Sequence, residues 1–220
     1  MIYTAKRTTV LPQMNCRWED FNAAETVNID YIFDKGSGHL PKTQARLLHD
    51  DRNIYGIYKV EDQFIRVVNC DYNTNIWTDS CVEFFFKPFA DKGYFNLEMN
   101  AGAHHLLYYT WDIDANNKND AEGRVKLPRE DGMQVKIKTT LPSRVEPEIQ
   151  EPTTWFLQFM IPTEMLAKYC GPIGNLNGQK WTCNFYKCGD DTSHPHWLAW
   201  APLTGTSFHQ PDKFQTLVME

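Results

Sequence analysis

From Cys81 to Lys87 the chain reads Cys-Val-Glu-Phe-Phe-Phe-Lys, and its alternation constrains the fold more than any other stretch. In an extended strand Val82, Phe84 and Phe86 share one face, while Cys81, Glu83, Phe85 and Lys87 share the other. The first face is purely apolar and belongs in a core. The second sets a carboxylate and a lysine beside an aromatic ring, which predicts a face at least partly wet. Just upstream, Ile76-Trp77-Thr78-Asp79-Ser80 reads as a polar turn around one large aromatic. Trp77 therefore stands in a loop a few residues before Glu83. A flat ring beside a fixed acceptor suits a ligand that offers both C–H faces and hydroxyls, as a sugar does.

Strand-like runs of this kind dominate. They cover Val27–Phe33, Thr43–His49, Ile54–Val60, Cys81–Lys87, Tyr94–Asn100, His104–Trp111, Met133–Thr139, Trp155–Ile161, Trp181–Lys187 and Phe214–Met219, with turn residues between them. Asp50-Asp51-Arg52-Asn53 separates two of them as a hairpin loop. One short helix is predicted after Ile161, with Pro162 or Thr163 opening it and Gly171-Pro172 closing it. Asp112–Glu122 and Leu141–Thr154 are polar and read as long loops. No repeat or linker marks a second domain. The pattern predicts an all-β fold, an antiparallel β-sandwich of the immunoglobulin-like or jelly-roll-like kind, with one short helix and a single domain over residues 1–220.

A chain of 220 residues can bury about 70% of its unfolded surface, so it needs no disulfide staple. Its six cysteines are scattered and read as buried free thiols. The net charge of −6 argues against a nucleic-acid backbone as partner. No apolar run approaches the roughly 20 residues that span a bilayer. Met1–Arg7 lacks the apolar stretch of a secretory leader. That leaves two compartments open: cytoplasmic, or extracellular or periplasmic with a leader removed.

Several constellations carry chemistry. In Tyr94–Asn100, Asn96, Glu98 and Asn100 point opposite to Phe95, Leu97 and Met99. If that strand neighbours Cys81–Lys87, Glu83, Asn96, Glu98 and Asn100 form one polar patch. A solvated sheet face is the plainer alternative, but a run of amides and carboxylates with little lysine or threonine points towards a ligand face. Trp197 and Trp200 lie in the loop-like His194–Pro202 segment, where either could stack on a ligand or pack in a core. Glu83, Glu98 and Asp79 could be read as paired carboxylates for glycoside cleavage. Asp50 and Asp51 could hold calcium, or could simply form an acidic turn. Adjacent His104 and His105 point to opposite faces of a strand and cannot easily share an ion.

Taken in order, the segments Thr43–Asp51, Ile54–Tyr58, Trp77–Phe85, Tyr94–Asn100, Trp155–Pro162, Trp181–Tyr186 and Phe208–Phe214 resemble family-nine carbohydrate-binding modules. The resemblance spans about Ala24 to Leu217. It implies an antiparallel β-sandwich that binds a mono- or oligosaccharide of the xylan or cellulose type without cleaving it. It further implies a role in polysaccharide degradation, often in association with glycoside hydrolases, and in some members structural calcium but no required cofactor. Carried over by position, Trp77 matches the first stacking ring, Glu83 the acid on the following strand and Asn100 the amide ending the next. Glu98 stands where the family often has a basic residue. Trp197 or Trp200 supplies the second ring. Two other readings stay open: a glycan hydrolase using Glu83 and Glu98, and a haem-binding sandwich with Met99 and a histidine as axial ligands.

Overall fold

The computed structural model describes residues 1–34, 36–112 and 123–220, so the Asp112–Glu122 connection lies, beyond Asp112, outside the described residues. Sixteen strands are described: β1 (Ile2–Arg7), β2 (Val27–Ile29), β3 (Tyr31–Asp34), β4 (Lys42–His49), β5 (Asn53–Asp62), β6 (Ile65–Val67), β7 (Cys81–Lys87), β8 (Tyr94–Asn100), β9 (His105–Thr110), β10 (Arg124–Lys126), β11 (Lys136–Thr139), β12 (Val145–Ile149), β13 (Thr153–Pro162), β14 (Lys180–Cys188), β15 (Trp197–Ala199) and β16 (Gln215–Met219). Two helices join them, α1 (Arg129–Gly132) and α2 (Thr163–Cys170). No helix among the described residues is long and apolar enough to cross a membrane.

The strands run in the order β10-β9-β8-β7-β14-β16-β1-β4-β5-β13-β11, and β1 is the seam between two sheets. Ile2–Ala5 pair with β16, while Lys6 and Arg7 pair with β4. Both β1 pairings are parallel, whereas the pairings among the other strands are antiparallel. The main core lies between the sheets. Val82, Phe84 and Phe86 of β7 and Phe95, Leu97 and Met99 of β8 contribute from one sheet. Tyr58 and Val60 of β5 and Trp155, Leu157 and Phe159 of β13 contribute from the other. At about 25 cal/mol per Å² of buried apolar surface, these large side chains are the main stabilising term. The apolar face read from the alternation of β7 is therefore core.

The structure departs from the sequence reading in several places, each with a tertiary cause. Val27–Phe33 splits at Asp30, because β2 pairs with β4 in one sheet and β3 with β15 in the other. Leu141–Thr154 is no plain loop: β12 pairs with β6 across Val145–Val67 and Ile149–Ile65. His194–Pro202 contains β15, which pairs with β14. Met133–Thr139 begins as a strand only at Lys136, since Met133 and Val135 close the turn of α1 by donating to Arg129 and Gly132 carbonyls. The other face of β7 is not wet along its length. Cys81, Glu83 and Phe85 are buried beneath loop segments, and only Lys87 stays partly exposed. Five of the cysteines are buried free thiols, but Cys70 is exposed.

Candidate functional site: an aromatic-walled cavity on an outer sheet face

The covered face of β7, β8, β9 and β14 carries a cavity of about 500 Å³. Its floor is made by side chains of adjacent strands. Glu83 and Glu98 are register partners across β7 and β8, so their carboxyls stand side by side. Asn96 Nδ2 donates to Glu98 Oε1 at 3.0 Å, and the Cys188 thiol donates to Glu83 Oε1 at 3.0 Å. Glu98 Oε2 is buried with no hydrogen-bond partner.

The walls are aromatic. Trp77 sits in the 3-10 turn Ile76–Thr78, which Ile76 anchors by burying its side chain completely. Trp197 begins β15 and is held by its indole N–H, which donates to Asp190 Oδ1 at 2.7 Å. Both tryptophans remain partly exposed and line the cavity. Asp190 joins the two walls, since its backbone N–H also donates to the Trp77 carbonyl at 3.3 Å. Phe208 stacks on Tyr186 with 4.3 Å between ring centroids, closing another side. At the rim, Arg124 and Lys126 of β10 lie 5.6 and 5.3 Å from the Tyr108 ring centre.

Burial governs the electrostatics. It raises Glu83 well above the ordinary carboxylate range, helped by the nearby Cys188 and Glu98. Burial likewise raises Glu98 to about 8 and Asp190 to about 6. At neutral pH the floor therefore presents at least one protonated carboxyl, which can donate as well as accept. Paired donors and acceptors between ring faces can hold hydroxyl groups and the apolar face of a ring together.

Of the residues singled out in the sequence, Trp77, Glu83, Glu98 and Trp197 meet at this cavity. Asn100 and Trp200 do not. Asn100 is fully buried and spends its amide on structure, donating to Asp79 Oδ2 and to the Asn69 carbonyl and accepting from Gly102 and His104 N–H. Trp200 belongs to the core between the sheets, edge-on to Phe185 at 5.7 Å. Asp79 is fully buried and accepts from Val68 and Asn69 N–H, which fixes the turn that carries Trp77. Met99 likewise lies in the inter-sheet core. Asp50 and Asp51 lie in the hairpin loop away from the cavity. Asp50 accepts from Asn53 and Tyr55, and Asp51 pairs with Arg7 at 2.6 Å.

Sequence reasoning missed Asp190, Tyr108 and Phe208. Asp190 carried a usable signal, an acid in a Gly-Asp-Asp turn directly after a strand. Tyr108 shares its strand face with Leu106, and nothing local set it apart.

The class this fold and cavity define is an all-β sandwich with a ligand-sized, aromatic-walled pocket on an outer sheet face. The chain belongs to carbohydrate-binding family 9, whose family model matches residues 15–219, and carbohydrate binding is its functional class. Among solved structures it is similar to a candidate carbohydrate-binding protein from Bacteroides uniformis, with 29% identity, a TM-score of 0.87, and 100% of this chain and 99% of that one covered. Two structures of a family-nine module from Caldicellulosiruptor kristjanssonii share the fold. The one with cellotriose aligns at a TM-score of 0.66 and 12% identity, covering 100% of this chain and 94% of that one. The one with glucose aligns at 0.61 and 14%, covering 100% and 96%. No curated protein matches the chain.

Proposed function

We propose that this protein is a non-catalytic module that holds a mono- or oligosaccharide, of the xylan or cellulose type, in this cavity, with Trp77 and Trp197 offering ring faces to the sugar. Glu83, Glu98 and Asp190 bond its hydroxyls. One observation carries this reading: Trp77 and Glu83, Glu98 from the next strand and the remote Trp197 line one open cavity. Its volume of about 500 Å³ falls in the range of small-ligand sites, roughly 300–1,000 Å³. The complexes of the Caldicellulosiruptor modules with cellotriose and glucose support the ligand class.

The same geometry favours binding over cleavage. Glycoside hydrolysis needs two carboxyls flanking the scissile bond. Glu83 and Glu98 rise from neighbouring positions on one floor, so both approach a ligand from the same side. Each hydroxyl contact replaces a good contact with water and nets only about 0.5–1.5 kcal/mol. The ring faces must supply the surplus, and the expected affinity is millimolar to micromolar, about −4 to −8 kcal/mol.

Titration calorimetry against xylo-, cello- and manno-oligosaccharides and simple sugars tests the reading, with chromatography of the mixture for cleavage products. Saturable heat for one class, no product, and loss of that heat in a folded Trp77→Ala protein are expected. Unchanged affinity in Trp77→Ala and Trp197→Ala would remove both rings from the site, and released product would make the protein an enzyme.

A further inference from the structure

At the cavity floor, two strands bring together two cysteines that carbohydrate binding does not require, beside Glu83. Cys81 opens β7 and Cys188 closes β14, and the two are register partners. Glu83 lies two residues along β7 on the same face. The two Sγ atoms and a Glu83 carboxylate oxygen all lie within 4.8 Å of one another. All three residues are buried, Cys81 at 0%, Cys188 at 1% and Glu83 at 2% exposure.

We propose that Cys81, Cys188 and Glu83 form a binding site for a thiophilic divalent cation, zinc in the first instance. In tetrahedral zinc sites the metal lies about 2.3 Å from sulfur and about 2.0–2.2 Å from carboxylate oxygen, which sets ligand atoms roughly 3.5–4 Å apart. Small side-chain rotations bring this trio to that spacing. The donor set selects the metal: two thiolates suit zinc or its soft analogues, while calcium and magnesium take oxygen ligands.

The surroundings support a cation. Glu98 stands opposite Glu83 with one buried carboxyl oxygen unpartnered. Asp190 adds a third acid to the same pocket. Lys187 of β14 donates to the Cys188 carbonyl at 3.0 Å, and its charge is matched by Asp62 between the sheets. Glu83 and Cys188 line the cavity, which gives the ion a way in and leaves a fourth coordination position facing it. The proposal shares Glu83 with the sugar reading but rests on the two thiols, which that reading does not use, and it is tested with no sugar present.

Cadmium titration of the reduced protein, with a phosphine reductant, reads the site through thiolate-to-metal charge-transfer absorption in the ultraviolet. A band saturating at one equivalent is expected, retained in Cys70→Ser, absent from Cys81→Ser and Cys188→Ser, and weakened in Glu83→Gln. Zinc should raise the melting temperature of the unmodified protein and leave that of Cys188→Ser unchanged. Should the cysteine variants not fold, X-ray absorption at the zinc edge of the unmodified protein decides, with two sulfur neighbours expected. No band, a band that disappears with Cys70, or a zinc shell without sulfur would overturn the proposal.

Discussion

His105 shows what burial does to one ionisable side chain. It lies on β9 at 4% exposure, and its Nε2–H donates to the Gly132 carbonyl at 3.0 Å. Burial holds its pKa at about 4, below the ordinary 6.5. The folded protein thus keeps it neutral while the unfolded chain takes up a proton as pH falls below about 6.5. Its contribution is complete above that pH and is lost as pH drops towards about 4, by up to about 3 kcal/mol. His105→Gln keeps an amide donor for Gly132 and does not titrate. Denaturant unfolding should show the stability advantage of the unmodified protein over His105→Gln shrinking by that amount between about pH 7 and pH 4. A constant difference would mean that the imidazole is hydrated in the native state. Asn100 and Trp200 teach the same lesson without titration. Each has a residue type suited to a ligand site, and each is consumed by its neighbours instead.

At the scale of elements, neighbouring strands of one sheet fit large core side chains only where a position leaves room. Gly56 on β5 is the register partner of Phe159 on β13. A methyl group built at Gly56 would come within 2.1–2.8 Å of the Phe159 ring. Phe159 is fully buried against Phe84 and cannot swing into solvent. Gly56→Ala should therefore destabilise the protein by roughly 1–3 kcal/mol through overpacking. Its denaturation midpoint checks this, and a Gly56→Ala protein as stable as the parent would show that β13 can shift. Elements with strong local patterns are legible in the sequence. β7 and β8 coincide with their alternating runs, and α2 begins and ends at its proline and glycine signals. β1, β6, β12 and β15 are not legible there, because they are short or weakly alternating and exist through pairing with remote partners.

Across the whole molecule, a buried ion pair ties one sheet to the other. Lys187 of β14 and Asp62 of β5 are both fully buried at the side chain and 3.4 Å apart. Lys187 Nζ also lies 2.6 Å from His196 Nε2, and His39 lies 2.8 Å from Asp62. Burial opposes the Asp62 charge, but Lys187 and His39 outweigh it and hold the carboxyl at about 2. Lys187→Met would strand that carboxylate between the sheets at a cost of about 3–5 kcal/mol, and Lys187→Met with Asp62→Asn should recover most of it. Unfolding free energies of the two variants test this, and equal losses in both would mean that packing of the lysine stem, not charge, is what matters. The β-rich class, the core face of β7, and the placing of a loop tryptophan just before a strand glutamate are legible in the amino-acid order alone, because period-two alternation and turn chemistry act over a few residues. Residue type and order also place Trp77, Glu83, Glu98 and Trp197 as candidates. That Trp197 and not Trp200 reaches the cavity, that Asp190 links the two walls, and that Cys81 meets Cys188 are set by the folded arrangement of the strands. Those outcomes depend on which strands pair and in what register, and pairing is settled by burial summed over the entire sandwich rather than by any local run.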